Sequence, residues 1–286
     1  MSAWTKRNLL DLQQVSREEI ELVFETAKSF KEVSKRDVKK VPALRGKTVV
    51  MLFFEPSTRT RTSFELAAKR LSADTINVTP SSSSLSKGES VLDTARNIEA
   101  MNVDAIIVRH SSSGVPKILS DHLNASIINA GDGCRAHPTQ ALLDMFTIRE
   151  KLGKIEGLKV AIIGDIRHSR VARSNICGLT KFGAQVTVCG PSTLIPMGIE
   201  QLGAKVNYNL HEVIAESDVL MPLRIQKERQ QEKFLPSIRE YAVQFGITKE
   251  KLKGAKKDVV IMHPGPTNRG VELSAEVADG EYSVIL

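Results

Sequence analysis

The 286-residue sequence is poor in aromatic side chains, at 5% Phe, Tyr and Trp with a single Trp, so a nucleic-acid platform built on ring stacking is badly supplied. Cysteine is also scarce. Cys134, Cys177 and Cys189 are odd in number and widely spaced, forming neither a disulfide framework nor a CxxC metal site, and reduced thiols in a cytoplasmic protein are expected. No apolar run approaches the ~18 residues that cross a bilayer, and residues 1–12 hold no continuous apolar segment of the secretory kind. Phosphate-loop, G-x-G-x-x-G, G-x-S-x-G and H-E-x-x-H spacings are all missing, so nucleotide folds of those types, hydrolase elbows and a metal site are not indicated.

What is present is ordinary globular composition with an excess of cations. Lys and Arg number 40 against 33 Asp and Glu, a net charge of +7. Such an excess has two readings, scattered surface cations or an anionic partner, and local placement must separate them. Apolar runs with the length of buried strands occur at 47–54, 105–108, 126–129, 159–164, 185–189, 219–223 and 259–262. Helical spacing fills most of the gaps: after a Ser16-x-x-Glu19 capping box, and over 60–71, 90–101, 138–151, 171–182 and 212–216. Strand alternating with helix predicts an α/β fold of two domains, each a parallel sheet flanked by helices. The boundary is expected near Gly153, giving domains over 1–150 and 151–286.

In open α/β sheets ligands bind beyond the carboxyl ends of strands, so the polar residues there carry most weight. After the first strand stands Phe54-Glu55-Pro56-Ser57-Thr58-Arg59-Thr60-Arg61. A helix start rich in hydroxyls and guanidinium groups is suited to an anion, phosphate above all. The bland alternative is that Ser57 or Thr58 caps the helix and the arginines are solvated. Arg109-His110 follows the 105–108 run. His137-Pro138-Thr139-Gln140 opens the long helix, where a lone His is as readily structural as functional. Residues 80–90 are Ser-rich and end in Lys87-Gly88-Glu89, read either as a linker or as a loop bringing Lys87 into a site. In the second half, Arg170, Leu223-Arg224-Ile225-Gln226 and His263-Pro264-Gly265-Pro266 follow strand-like runs and suit a carboxylate-bearing ligand.

Together these stretches resemble the transcarbamoylase family over nearly the whole chain. Ser57 to Arg61 and His137 to Gln140 are similar to its carbamoyl-phosphate motifs. Lys87-Gly88-Glu89, Leu223-Arg224-Ile225-Gln226 and His263-Pro264-Gly265-Pro266 are similar to its aspartate-accepting branch. An ornithine-accepting relative would carry His-Cys-Leu-Pro at the last position. The resemblance implies carbamoyl transfer from carbamoyl phosphate to L-aspartate, the committed step of pyrimidine synthesis, with no cofactor. It implies catalytic roles for Arg59, Thr60, Arg109 and His137. Carbamoyl phosphate would be held by these four with Ser57, Thr58, Gln140, Gly265 and Pro266. Aspartate would be held by Lys87, Arg170, Arg224 and Gln226. It further implies a homotrimer in which a neighbouring subunit's loop contributes Ser84 and Lys87. Regulatory chains or a dihydroorotase-like partner remain open, as do an ornithine-type acceptor and an inactive transcarbamoylase-like subunit. No nucleic-acid or membrane partner is expected. Relatives are expected to run one helix beyond residue 286.

Overall fold

A computed structural model of the chain describes residues 4–79, 88–226 and 234–285. It divides into two compact units, 1–139 and 140–286. In the first unit four strands, β1 (Thr48–Phe53), β2 (Asp74–Val78), β3 (Ala105–His110) and β4 (Ser126–Asp132), form one parallel sheet in the order β2-β1-β3-β4. In the second, β5 (Lys159–Ile163), β6 (Gln185–Cys189), β7 (Ala204–Val206), β8 (Val219–Pro222) and β9 (Val260–Ile261) form another, in the order β7-β6-β5-β8-β9. Central β1 and β5 are almost wholly buried, which is why they read as continuous apolar runs rather than alternating ones.

Helices connect the strands: α1 (Arg17–Val33), α2 (Thr58–Arg70), α3 (Val91–Glu99), α4 (Val115–His122), α5 (Pro138–Leu152), α6 (Arg170–Lys181), α7 (Leu210–Glu216), α8 (Ile238–Phe245) and α9 (Ala275–Ala278). The capping box at α1 is formed: the Ser16 hydroxyl accepts from Glu19 N, and the Glu19 carboxylate accepts from Ser16 N. Each sheet packs apolar side chains on its faces. Val50, Leu52, Ile106, Val108 and Ile127 meet Ala95, Ile98 and Leu119 of α3 and α4. Ala161, Ile163, Leu220 and Ile261 meet Val213, Ile214, Tyr241 and Phe245 of α7 and α8.

Non-helical segments pair with the outer strands. Leu9 bridges to Ile128, its N–H donating to Ile127 O and its carbonyl accepting from Asn129 N, both at 2.9 Å. Ser283 bridges to Ile261 of β9, flanked by bonds from Ile261 N to Tyr282 O and from Val284 N to Ile261 O. Both strand orders reverse direction once. The chain steps outward from β1 to β2 and then returns to β1's other side with β3; likewise it runs from β5 through β6 and β7 before β8 joins β5. The crevices beyond the carboxyl ends of the β1/β3 and β5/β8 pairs are therefore topological switch points, where ligands bind in such sheets.

Candidate active site

In the first unit the segment after β1 and the end of β3 meet at the β1/β3 switch point. Ser57 stands immediately before α2 in extended backbone and makes no capping bond to the helix, against the bland capping reading. Thr58 and Arg59 are exposed, while Ser57 and Thr60 are half-buried. The helix start thus offers backbone N–H groups and hydroxyls to an anion with little competition from a cap. Arg61 turns elsewhere: its guanidinium lies 5.2 Å from the centre of the Phe53 ring. Arg109 is part of β3 itself, paired in register with Phe53, and its carbonyl accepts from Phe54 N at 2.9 Å. Its Nη1 donates to Ala130 O at 3.0 Å and its Nε lies 3.4 Å from the Glu55 carboxylate, so the cation is oriented from two sides. Burial lowers the pKa of neighbouring His110, against the opposing charge of Glu55.

His137 is buried and directly precedes α5, its Nδ1 3.4 Å from the Thr139 hydroxyl. The turn before it is organised by Asp132, which is fully buried and accepts from Asn129 Nδ2, Ala136 N and Gly114 N at 2.8–3.1 Å. Arg135 adds an ion pair to Asp11.

In the second unit the β5/β8 switch point is equally cationic. Ser169 caps α6 through Ala172 N, and Arg170 follows as the first helical residue, only 2% exposed. Beyond β8, Arg224 Nη2 donates to Gln226 Oε1 at 3.3 Å. The two segments are joined by Asp165, fully buried, whose Oδ1 accepts from His168 N at 3.2 Å and lies 2.8 Å from His168 Nδ1, while Oδ2 accepts from Gln226 N at 3.1 Å. His168 and Arg167 both lie about 5 Å from the Phe234 ring. After β9, Gly265 N donates to His263 Nδ1 at 2.8 Å, and His263 Nε2 faces the Glu272 carboxylate at 3.3 Å with both side chains fully buried. Glu272 also accepts from Asn268 N at 2.6 Å, so the turn carrying Gly265 and Pro266, joined by a cis peptide, is pinned from below.

Gln140 also belongs to the second unit. Its Nε2 donates to Asp144 Oδ1 at 2.9 Å, and Asp144 Oδ2 accepts from Asn175 Nδ2 at 2.7 Å. Burial pushes the Asp144 carboxyl up to about 6, and the two amide bonds pull the other way.

The structure thus gathers Ser57, Thr58, Arg59, Thr60 and Arg109 at one switch point, and Arg170, Arg224 and Gln226 at the other. Ser84 and Lys87 lie outside the described residues. The carboxylates that orient these cations and amides (Glu55, Asp132, Asp144, Asp165 and Glu272) were not candidates from the sequence. Two had a signal: Asp165 directly follows Gly164 at a strand end, and Asp144 lies one helical turn beyond Gln140. Among the described residues no group of three or more His, Cys, Asp or Glu is placed to hold a metal ion, and no helix is long and apolar enough to cross a membrane.

Comparison with known proteins places the chain as a whole. The carbamoyl-phosphate-binding domain of aspartate/ornithine carbamoyltransferases matches residues 7–150, and the family's Asp/Orn-binding domain matches 156–286. The aspartate carbamoyltransferase catalytic subunit of Syntrophus aciditrophicus is 59% identical over 283 residues, 99% of this chain and 92% of that one. Aspartate transcarbamoylase of Trypanosoma cruzi, solved with N-(phosphonacetyl)-L-aspartic acid, superposes with a TM-score of 0.88 at 30% identity, over 97% of this chain and 89% of that one. Ornithine carbamoyltransferase of Pyrococcus furiosus superposes with a TM-score of 0.87 at 32% identity, over 100% and 93%. The fold alone therefore does not select the amino-acid acceptor. With both family domains matched in order along almost all of its length, the chain belongs to the aspartate/ornithine carbamoyltransferase family.

Proposed function

We propose that this chain catalyses carbamoyl transfer from carbamoyl phosphate to L-aspartate, giving N-carbamoyl-L-aspartate and phosphate, the committed step of pyrimidine synthesis. The observation that carries the reading is the pair of cationic switch points: hydroxyls, a helix N-terminus and Arg59 with Arg109 after β1 and in β3, then Arg170 and Arg224 with Gln226 after β5 and β8. The acceptor follows from the relative at 59% identity, which bears the aspartate name, and from His263-Pro264-Gly265-Pro266 in place of His-Cys-Leu-Pro.

In this reading Ser57, Thr58, Arg59, Thr60 and Arg109 hold the phosphate. His137, with Thr58 and Arg109, donates to the carbonyl oxygen as negative charge grows there; one such donor is typically worth ~2.7–4 kcal/mol of barrier. Gln140 and the carbonyls of Gly265 and Pro266 take the carbamoyl NH₂. Arg170 and Arg224, with Lys87, take the two aspartate carboxylates, and Gln226 positions the amine. The amine nitrogen bonds to the carbamoyl carbon, the C–O bond to phosphate breaks with its electron pair on the leaving oxygen, and an amine proton ends on phosphate. The chemistry is positioning and fixed charge: two mutually repelling anions are brought together by cations already oriented. No cofactor enters these steps.

The same reading includes a homotrimer, with Ser84 and Lys87 reaching a neighbouring copy's site, and a cytoplasmic location consistent with three unbridged cysteines. The purified chain is expected to form ureido product with L-aspartate and not with L-ornithine, and Arg59→Ala to lower that rate at least ~10³-fold. Near-normal turnover in Arg59→Ala, or ornithine preferred as acceptor, would overturn the assignment. Light scattering on the purified chain should give three times the 31.5 kDa chain mass; a persistent monomer would remove the shared site.

A further inference from the structure

Gln140 faces a buried carboxylate, which settles the orientation of its amide. A glutamine side chain offers a donor at one corner and an acceptor at the other, and either fits the same space. Asp144 stands four residues on, hence on the same face of α5, and its Oδ1 lies 2.9 Å from Gln140 Nε2. An ionised carboxylate only accepts, so the amide must turn its NH₂ to Asp144 and leave Oε1 outward. The carboxylate is itself clamped. Asn175 Nδ2 donates to Asp144 Oδ2 at 2.7 Å and also to Val171 O at 3.2 Å, tying it to α6. The clamp leaves Asn175 Oδ1 buried with no hydrogen-bond partner among the described residues. A buried carboxylate kept at the expense of an unsatisfied acceptor contributes poorly to stability, since apolar residues of that size would fill the space without either cost.

We propose that Asp144 is a positioning residue for the carbamoyl group: its carboxylate locks Gln140 with Oε1 presented as an acceptor for the substrate's NH₂. This rests on the reading that Gln140 receives that NH₂. The consequence is selectivity for an amide over a methyl ketone of the same shape. A carbamoyl N–H left facing a donor loses its bond, whereas a methyl group needs none. Asp144 ionises at about 6, so the lock is set at neutral pH.

Two stable phosphonates read this directly: phosphonoacetamide, which carries the NH₂, and 2-oxopropylphosphonate, which carries CH₃ in its place. Their affinities are measured by calorimetry on the full-length protein in its native assembly. Asp144→Asn keeps the volume. Asn175 retains both its bonds only if the new amide turns its oxygen toward it, which shows an NH₂ to Gln140 and rotates that side chain. The preference for the amide should fall about tenfold, the order of one hydrogen bond, with ketone affinity unchanged within about twofold. Asp144→Leu removes the acceptor without supplying a donor and should lower the preference about threefold, giving a second reading if the first variant does not fold. A merely structural Asp144 would weaken both ligands equally. Gln140→Leu distinguishes the two layers of inference. If it leaves the preference intact, Gln140 is not the carbamoyl contact and the proposal falls with it. If it erases the preference while folded Asp144 variants keep theirs within about twofold, the proposal alone is overturned.

Discussion

Asp165→Ala is the substitution that most directly tests how the aspartate half of the machinery is held. The carboxylate is fully buried and takes bonds from His168 N, His168 Nδ1 and Gln226 N at 3.2, 2.8 and 3.1 Å. It is thus the tie between the turn that leads into Arg170 and the segment that carries Arg224 and Gln226. Each bond to an ionised group contributes about 1.5–3 kcal/mol, and the stranded buried N–H groups add a desolvation cost. Shared donors and relaxation keep the total near the ~3–5 kcal/mol typical of removing one partner from a buried charged network. Urea titration should therefore show a shifted midpoint with an unchanged slope. Function should suffer more selectively. A displacement of ~1 Å in positioning groups can cost ~10²-fold, so the KM for L-aspartate should rise at least tenfold and kcat should fall. Carbamoyl-phosphate affinity should stay within about threefold, because Ser57 to Thr60 and Arg109, which hold its phosphate in this reading, belong to the other unit, and the bonds that hold Gln140 and Gly265 run to Asp144 and His263. Asp165→Asn can accept from His168 or from Gln226 N but cannot satisfy all three donors, and should fall between. A folded Asp165→Ala enzyme with unchanged aspartate KM and kcat, or with both substrates weakened equally, would refute the argument.

Asp144 makes a prediction about stability with the opposite sign from its effect on selectivity. Burial raises its carboxyl from the ordinary Asp range, near 3.8, to about 6 in the folded chain, so the folded state binds the proton more tightly and gains stability as pH falls through 6. Relative to Asp144→Asn, wild type should gain about 2 kcal/mol between pH 7.5 and 4.5 in denaturant titrations; a pH-independent difference would contradict the shift. Gly164, at φ +119°, has no room for a side chain: an added Cβ would lie 2.7 Å from Tyr241 Oη and 2.9 Å from Leu223 O. Gly164→Ala should cost about 3 kcal/mol and raise the KM for L-aspartate, since the strained carbonyl adjoins Arg224; stability within about 0.5 kcal/mol of wild type would refute it.

The sequence made the buried strands legible and the edges less so. β6 falls where its apolar run predicts, β1, β5, β8 and β9 lie inside their expected runs, and β3 and β4 start where expected but continue to His110 and Asp132, past the ends of theirs. β2 escaped because Asp74, Ile76 and Asn77 are exposed on an outer strand, so no apolar run marks it, and β7 because three residues are too few to show a pattern. α4 opens on Gly114 with no side-chain cap, α9 has four residues, and neither leaves a periodic trace. The compact units divide at Thr139/Gln140, which puts most of α5 with the second, while the two family domains matched in the chain end at 150 and begin at 156. Among the site residues, cations and hydroxyls after strands could be read because a solvent-facing polar cluster at a strand end is conspicuous. Most of the carboxylates beneath them could not, since an isolated Asp in sequence looks the same whether it meets water or, like Asp132, three donors inside the fold.

The segments lying beside the outer strands have a consequence for handling the protein in concentrated solution. A free strand edge is a template for pairing with another chain, and parallel sheets built from apolar runs are hazardous when an edge is open. Here Leu9 occupies the outer side of β4 and Ser283 that of β9, β7 is only three residues long, and β2 exposes Asp74 and Asn77. Each sheet thus ends in a covered edge on one side and a short or polar one on the other. This arrangement makes the few residues around Leu9 and Ser283 guards of two strongly apolar sheets against edge pairing, though neither touches the chemistry.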